Sequence, residues 1–318
     1  MAAEQYLGVI LAAGHGSRMG PFGEEVPKPV APICNKPLLV YQLEHLRGLG
    51  ITDIIIVIGH LGHVITQILG NGAAYGVRIR YVEQEKRLGL AHAVGQLEKL
   101  IDRPFFLMLG DIYFEVDDLA QMIRTLEQQK AAAVLAVKDE NDANAIRKNF
   151  SVHLHADGTV KRVIEKPRHI ENRLKGCGLY LFDLHIFDAI RRTPRTALRD
   201  EYELTDSIQI LVELDYRVCI APVVTWDMNL TFIHDLIACC QRQLRHLGQH
   251  ACIGTGCTIP EGCTLIDTVL GDGVHIEHPI TLERCVVLPG SRVRSRADLR
   301  DCVITPSALL PAADAPPA

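Results

Sequence analysis

Short apolar runs set the rhythm of the first two thirds of the chain. Leu7–Ala12 is one, and it ends in a glycine-rich loop. Ile54-Ile55-Ile56-Val57-Ile58 is another, a continuous β-branched stretch of the kind that marks a strand buried on both faces. Phe105–Leu109 and residues 133–137 repeat the pattern. Between these runs the period lengthens. Residues 37–49 read as a helix, with Pro37 at a first helical position and Gly50 as terminator. A further helix is expected to about residue 69. Strand and helix in alternation predict an α/β fold, doubly wound around a mostly parallel sheet.

Between about 150 and 182 the pattern shifts to a period of two. Val152, Leu154, Val160 and Val163 flank Asp157-Gly158, a common hairpin turn. Residues 179–182 predict another strand, and helices are expected over 184–191, 204–214 and 232–247. After residue 249 the spacing becomes six: Ile253, Ile259 and Leu265, then, past a one-residue slip, Leu270, Ile276, Leu282 and Leu288. Glycines recur throughout. Hexapeptide spacing predicts a β-helix, about three coils of three hexapeptides each. The expected organisation is an α/β domain over 1–248, a β-helix over 249–305 and a disordered Pro/Ala-rich tail over 306–318.

Composition narrows the function classes. The 318 residues are 48% hydrophobic and 22% charged, with 33 Lys plus Arg against 38 Asp plus Glu. A net charge of −5 argues against a nucleic-acid wrapper. None of the ten cysteines forms a C-x-x-C pair, which removes zinc-ribbon and thioredoxin readings. With no signal peptide and no apolar stretch of about 20 residues, no membrane partner and a cytoplasmic location are expected.

Three clusters carry candidate chemistry. The first is Leu11-Ala12-Ala13-Gly14-His15-Gly16-Ser17-Arg18-Met19-Gly20-Pro21. Small residues there let backbone N–H groups approach a phosphate or a base, and Arg18 adds a forked positive charge. Met19 breaks the dinucleotide fingerprint, and no Gly-Lys-Ser/Thr follows for a Walker loop. The second device is a lysine pinned before proline, at Pro27-Lys28-Pro29 and again at Glu165-Lys166-Pro167, with the preceding residue pushed toward extended backbone. The third is oxygen-rich: Gly110-Asp111 at the carboxyl end of a strand, on the same sheet edge as the glycine loop, and Trp226-Asp227-Met228-Asn229. Asp111 with Asp227 or Asn229 suits Mg²⁺ together with phosphate oxygens.

Together these segments resemble the sugar-phosphate nucleotidylyltransferases, in the glucose-1-phosphate thymidylyl/uridylyltransferase branch that carries a C-terminal left-handed β-helix. The glycine loop, Pro27-Lys28-Pro29, Asn35-Lys36-Pro37, the stretch Gln84 to Ala93, Gly110-Asp111, Glu165-Lys166-Pro167, Glu203-Leu204-Thr205-Asp206 and Trp226-Asp227 follow in family order. The resemblance implies a Rossmann-like domain that transfers a nucleotidyl group from a nucleoside triphosphate, dTTP or UTP, to a sugar 1-phosphate, glucose 1-phosphate foremost. It implies nucleotide contacts from Leu11, Ala12, Ala13, Gly14, His15 and Gly16, base contacts from Gln84 and Gly89, and triphosphate contacts from Arg18 and Lys28. Glu165 and Lys166 would hold the sugar and its phosphate, Gly178 and Tyr180 would line the sugar pocket, and Asp111 and Asp227 would ligate Mg²⁺. The chain departs from the family pattern at Gly23, at Phe150-Ser151 and at Gly176-Cys177-Gly178. A homo-oligomer is expected. The alternatives are a non-catalytic regulatory homologue, which would be expected to lack Arg18, Lys28 or Asp111, and an acyltransferase on the β-helix.

Overall fold

The computed structural model describes residues 5–197 and 200–312. By compactness the chain forms two units, Met1–Gly14 with Gln42–Asp227, and His15–Tyr41 with Met228–Ala318. This differs from the single boundary expected at residue 248.

The first unit is built on a nine-stranded sheet. Its central strand, Leu7–Ala12, is buried along its whole length. It pairs in parallel with Asp53–Ile58 on one side and Phe105–Leu109 on the other. Arg78–Glu83 extends the sheet in parallel beyond Asp53–Ile58. Leu174–Phe182 enters antiparallel to both Phe105–Leu109 and Ala133–Asp139, and Val218–Ala221 lies parallel to Ala133–Asp139. The predicted hairpin is present as Phe150–Leu154 and Val160–Glu165, and it joins the sheet at Lys175 and Gly176. The sheet is thus doubly wound and mixed: seven of its nine strands run one way, while Leu174–Phe182 inside it and Val160–Glu165 at its edge run the other. Because side chains alternate across a strand, Leu7, Val9 and Leu11 fall in one row and pack with Leu107, Leu135, Tyr180 and Phe182.

The first long helix runs Leu38–Gly48. Pro37 lies just outside it, paired with Pro32 in a two-residue ladder, so it is not the first helical residue. Other helices fall where the periodicity placed them, at Gly62–Leu69, Ile186–Arg192, Leu204–Glu213 and Ile233–Leu247. No helix among the described residues is long and apolar enough to cross a membrane.

The second unit holds the left-handed β-helix. Its coils stack in parallel with a constant offset of seventeen residues, as in Ala251 opposite Thr268, Thr264 opposite Thr281 and Cys285 opposite Cys302. Three full hexapeptides would give eighteen. The missing residue falls at a corner where Asp267, Arg284 and Asp301 all take positive φ (47°, 51° and 49°). The slip seen once in the sequence therefore recurs in every turn. Leu270, Ile276 and Leu282 join the core of the coil as expected, but the seventeen-residue offset stacks Val287 over Leu270 in place of Leu288, and Ile253, in the first coil, is 51% exposed. Helix Ile233–Leu247 lays Leu236, Cys240 and Leu244 into this unit and packs on strands Thr268–Leu270, Thr281–Val287 and Leu299–Ile304. That packing explains why the compact boundary precedes residue 248. The chain also continues in order past residue 305: Leu309–Pro311 pairs antiparallel with Leu299–Ile304, where a disordered tail was expected to have begun. Residues 313–318 of that expected tail lie outside the described residues.

Candidate active site

In the first unit, two neighbouring turns press on the start of the glycine loop. Gly110 N donates to Leu11 O at 2.8 Å, and a Cβ at Gly110 would lie 2.8 Å from that oxygen. A Cβ at Gly59 would lie 3.0 Å from the Ala13 Cβ and O. Leu11, Ala12 and Ala13 are buried, whereas Gly14 is exposed. Asp111, half-buried, follows Gly110 as expected. Gly59 was missed, although it directly follows the 54–58 run as Gly110 follows its own strand.

A second missed residue fixes this turn. Gln42, 1% exposed, donates from Nε2 to Leu109 O and Ile112 O, both at 2.8 Å, and so ties together the two ends of the Gly110-Asp111 turn. Its signal in the sequence is a polar residue on the buried stripe of Leu38, Leu39, Leu43 and Leu46. Gln42→Leu strands two buried carbonyls and is expected to cost about 1–3 kcal/mol. Denaturant unfolding checks this, and a variant as stable as the parent contradicts the clamp.

The segment from Gln84 to Ala93 divides. Gln84 is buried, with its N–H on Ile58 O at 2.8 Å. Gly89 is backed on its Cβ side by another chain segment. A Cβ there would lie 2.4 Å from Tyr202 O and 2.7 Å from Tyr202 N. Tyr202 N donates to Leu88 O and Tyr202 O accepts from Ala91 N, so Gly89 makes room for a neighbouring chain segment. His92 stacks on Tyr202 with ring centroids 6.3 Å apart. Burial, then the nearby Lys86 charge, lower its pKa. Val82, Glu83, Glu85, Lys86, His92 and Gln96 line a cavity of about 370 Å³ beside it.

In the second unit, Gly16 takes a left-handed conformation (φ 71°, ψ 14°), and its carbonyl accepts from Met19 N at 3.0 Å. Lys28, 6% exposed, lies along Gly16: a Cβ at Gly16 would meet Lys28 Cγ at 3.4 Å and Cε at 3.5 Å. Gly23 closes the loop from behind, since a Cβ there would sit 2.6 Å from Gly16 O. A glycine at this departure from the family pattern is thus required by the packing. His15 and Arg18 are exposed. Lys28 is not extended as expected but opens a 3₁₀ turn, closed by Val30 N on Pro27 O and Ala31 N on Lys28 O. Those two hydrogen bonds outweigh the preference that Pro29 imposes.

Lys166 also departs from the extended backbone expected of it. Its φ is 45°, held by Lys166 N on Asn149 O at 2.7 Å. Its ammonium lies 3.7 Å from Glu165 and the side chain is 46% exposed. Gly178 and Tyr180 do not line an open pocket. The space beside Gly178 (φ 67°) is filled by Ile112 Cδ1 and Leu109 Cδ1, 2.6 and 3.0 Å from an ideal Cβ. Tyr180 is 2% exposed and stacks between Phe150 and Phe182 at 6.0 and 5.5 Å. The alternation of the strand turns it into the core.

The implied Mg²⁺ meets a different environment at each acid. Asp227, expected to be a ligand, is 4% exposed and accepts from Lys175 Nζ on both oxygens, at 2.8 and 2.6 Å. Lys138 Nζ lies 3.2 Å away. A carboxylate held by two ammonium groups does not fit a divalent cation, so Asp227 is corrected from metal ligand to ion-pair partner. Two residues on, Asn229 Oδ1 is buried and has no hydrogen-bond partner among the described residues. Among the described residues, no group of three or more His, Cys, Asp or Glu could hold a metal. Burial works against the Lys138 ammonium, but Glu140 and Asp227 outweigh it and hold its pKa above the ordinary lysine value. For Glu140 burial is likewise outweighed, by Lys138 and the Asp142 N–H, and its pKa falls.

Residues 7–227 match the family described as Nucleotidyl transferase, and residues 239–314 match the GlmU-like, C-terminal hexapeptide family. The chain is 35% identical over 222 residues to the low-salt glycan biosynthesis nucleotidyltransferase Agl11 of Haloferax volcanii, a stretch covering 69% of this chain and 60% of that one. It is 34% identical over 209 residues to a glucose-1-phosphate thymidylyltransferase of Streptomyces antibioticus, covering 64% of this chain and 57% of that one. Both matches span less than two thirds of the relative's length. A solved structure of a Bacillus anthracis protein assigned as a glucose-1-phosphate thymidylyltransferase, in complex with sucrose, aligns with a TM-score of 0.66 at 25% identity, over 74% of this chain and 94% of that one. A family match that runs through more than half of the chain makes its membership plain: this protein belongs to the nucleotidyl transferase family.

Proposed function

We propose that the protein transfers a nucleotidyl group from dTTP or UTP to glucose 1-phosphate, giving a nucleotide-sugar and pyrophosphate. The observation that carries this reading is Lys28, buried and laid along the left-handed Gly16 of the loop that follows the central strand. A lysine whose stem is laid along a left-handed glycine turn in this way suits a polyphosphate. A sugar-phosphate oxygen attacks the α-phosphorus in line, the new P–O bond forms, and the bond to the β-phosphate oxygen breaks. The attacking group is already an anion, so no general base is required. Positioning and charge neutralisation supply the catalysis. Residues 11–16 and Gln84 receive the nucleotide, Arg18 and Lys28 its phosphates, Glu165 the sugar hydroxyls and Lys166 the phosphate of the sugar.

Enzymes of this family generally depend on a divalent metal. We assign Asp111 to that ion, which would take up charge on the triphosphate. No step is routed through Asp227. The β-helix is assigned a stabilising and oligomer-forming role, and we place the reaction in the cytoplasm. Sedimentation tests the oligomer, and a monomer at all concentrations rejects it.

Pyrophosphate release, measured across a matrix of nucleoside triphosphates and sugar 1-phosphates, tests the activity. Release that needs both dTTP or UTP and glucose 1-phosphate is expected. Silence across the matrix favours the non-catalytic homologue, and acetyl transfer would favour the acyltransferase.

A further inference from the structure

Four charged side chains meet in the first unit where three strands come together. Lys138 and Lys175 stand directly opposite each other in the ladder between Ala133–Asp139 and Leu174–Phe182. Like charges so placed repel. Glu140 and Asp227 reconcile them: Lys138 Nζ lies 2.7 Å from Glu140 Oε2 and 3.2 Å from Asp227 Oδ1, and Lys175 Nζ lies 2.6 Å from Asp227 Oδ2 and 4.0 Å from Glu140 Oε2. The Lys175 and Asp227 side chains are each 4% exposed. Two cations and two anions make the cluster neutral as built. A carboxylate has about four lone-pair positions, and ammonium groups occupy three of those on Asp227.

We infer that Lys175 is the resident cation of the Asp227 carboxylate, standing where a divalent ion would stand, so that this chain binds its metal without Asp227. A divalent ion added here would leave two positive charges in excess in a buried place, where such an excess is costly. One that displaced Lys175 would strand a buried ammonium. For catalysis the inference rests on the nucleotidyl-transfer reading. It then names Lys175 as a positioning residue that replaces an exchangeable metal charge with a fixed one.

The test is metal binding, which does not depend on turnover. Mn²⁺ serves as the probe, with free ion read by electron paramagnetic resonance on the full chain without nucleotide. Wild type and Asp227→Asn are expected to bind Mn²⁺ alike. Lys175→Met frees the carboxylate and is expected to bind about tenfold more tightly or better, a gain lost in Lys175→Met/Asp227→Asn. Tenfold weaker binding in Asp227→Asn than in wild type overturns the inference. So does a Lys175→Met protein, native by circular dichroism, that binds as wild type does. Either comparison decides alone if the other variant fails to fold. Failure of the nucleotidyl-transfer reading would show in the pyrophosphate assay and leave this result standing.

Discussion

Lys28→Ala is expected to lower kcat/KM on the order of a hundredfold or more, the loss that follows removal of one preorganised charge from a reacting centre. The reaction sets two polyanions against each other, so cations held in place before the substrates arrive count most. Lys28 is such a cation. Its aliphatic stem is buried along Gly16, and its backbone is fixed by the 3₁₀ turn of Lys28–Val30. Alanine would remove stem and charge together, so Lys28→Met is the sharper variant. It keeps the stem and deletes only the ammonium. The same loss of rate with an unchanged unfolding midpoint is expected. Lys28→Arg should recover little, because a planar fork does not follow the path of a slender ammonium stem. Rates near wild type in Lys28→Met would remove this residue from the mechanism.

Gly176→Ala is expected to destabilise the first unit by about 1–3 kcal/mol through overpacking. An ideal Cβ at Gly176 would fall 1.9 Å from Phe150 Cζ and 2.1 Å from Cε2, inside the ring. The two residues face each other in the ladder, and the ring goes on to stack against Tyr180 at 6.0 Å. The clash is with a wedged aromatic ring, so no small rotation relieves it. Phe150→Leu/Gly176→Ala should recover part of the loss, a coupling of about 0.5–3 kcal/mol for residues in contact. Denaturant unfolding of the four proteins measures it. Purely additive effects would show that the ring and the glycine do not depend on each other.

This pair also shows what the sequence could and could not disclose. Phe150 and Gly176 stood out singly as departures from a family pattern, but their mutual dependence follows from strand register across 26 residues of chain. The buried strands were legible because a strand covered on both faces must be apolar throughout, and 54–58 is. The β-helix was legible from its six-residue spacing. Its seventeen-residue coil was not, since one slip in the text does not announce a repeated corner. The glycine loop, Lys28 and the Gly110 turn could be found because their chemistry is local to the chain. Gly178 and Tyr180 were misjudged for the converse reason. Each faces inward toward a distant segment, Ile112 or Phe150. Lys175 was invisible for the same cause: a lysine in a strand reads as solvated until the ladder places Lys138 opposite and Asp227 above its ammonium.

The most direct test of the whole account is phosphorus NMR of the full chain mixed with dTTP or UTP and glucose 1-phosphate. The account predicts pyrophosphate and a nucleotide-sugar growing in equal amounts, with no signal from either substrate alone. Inorganic phosphate in place of pyrophosphate, or unchanged substrates in the presence of folded protein and a divalent metal, would contradict it.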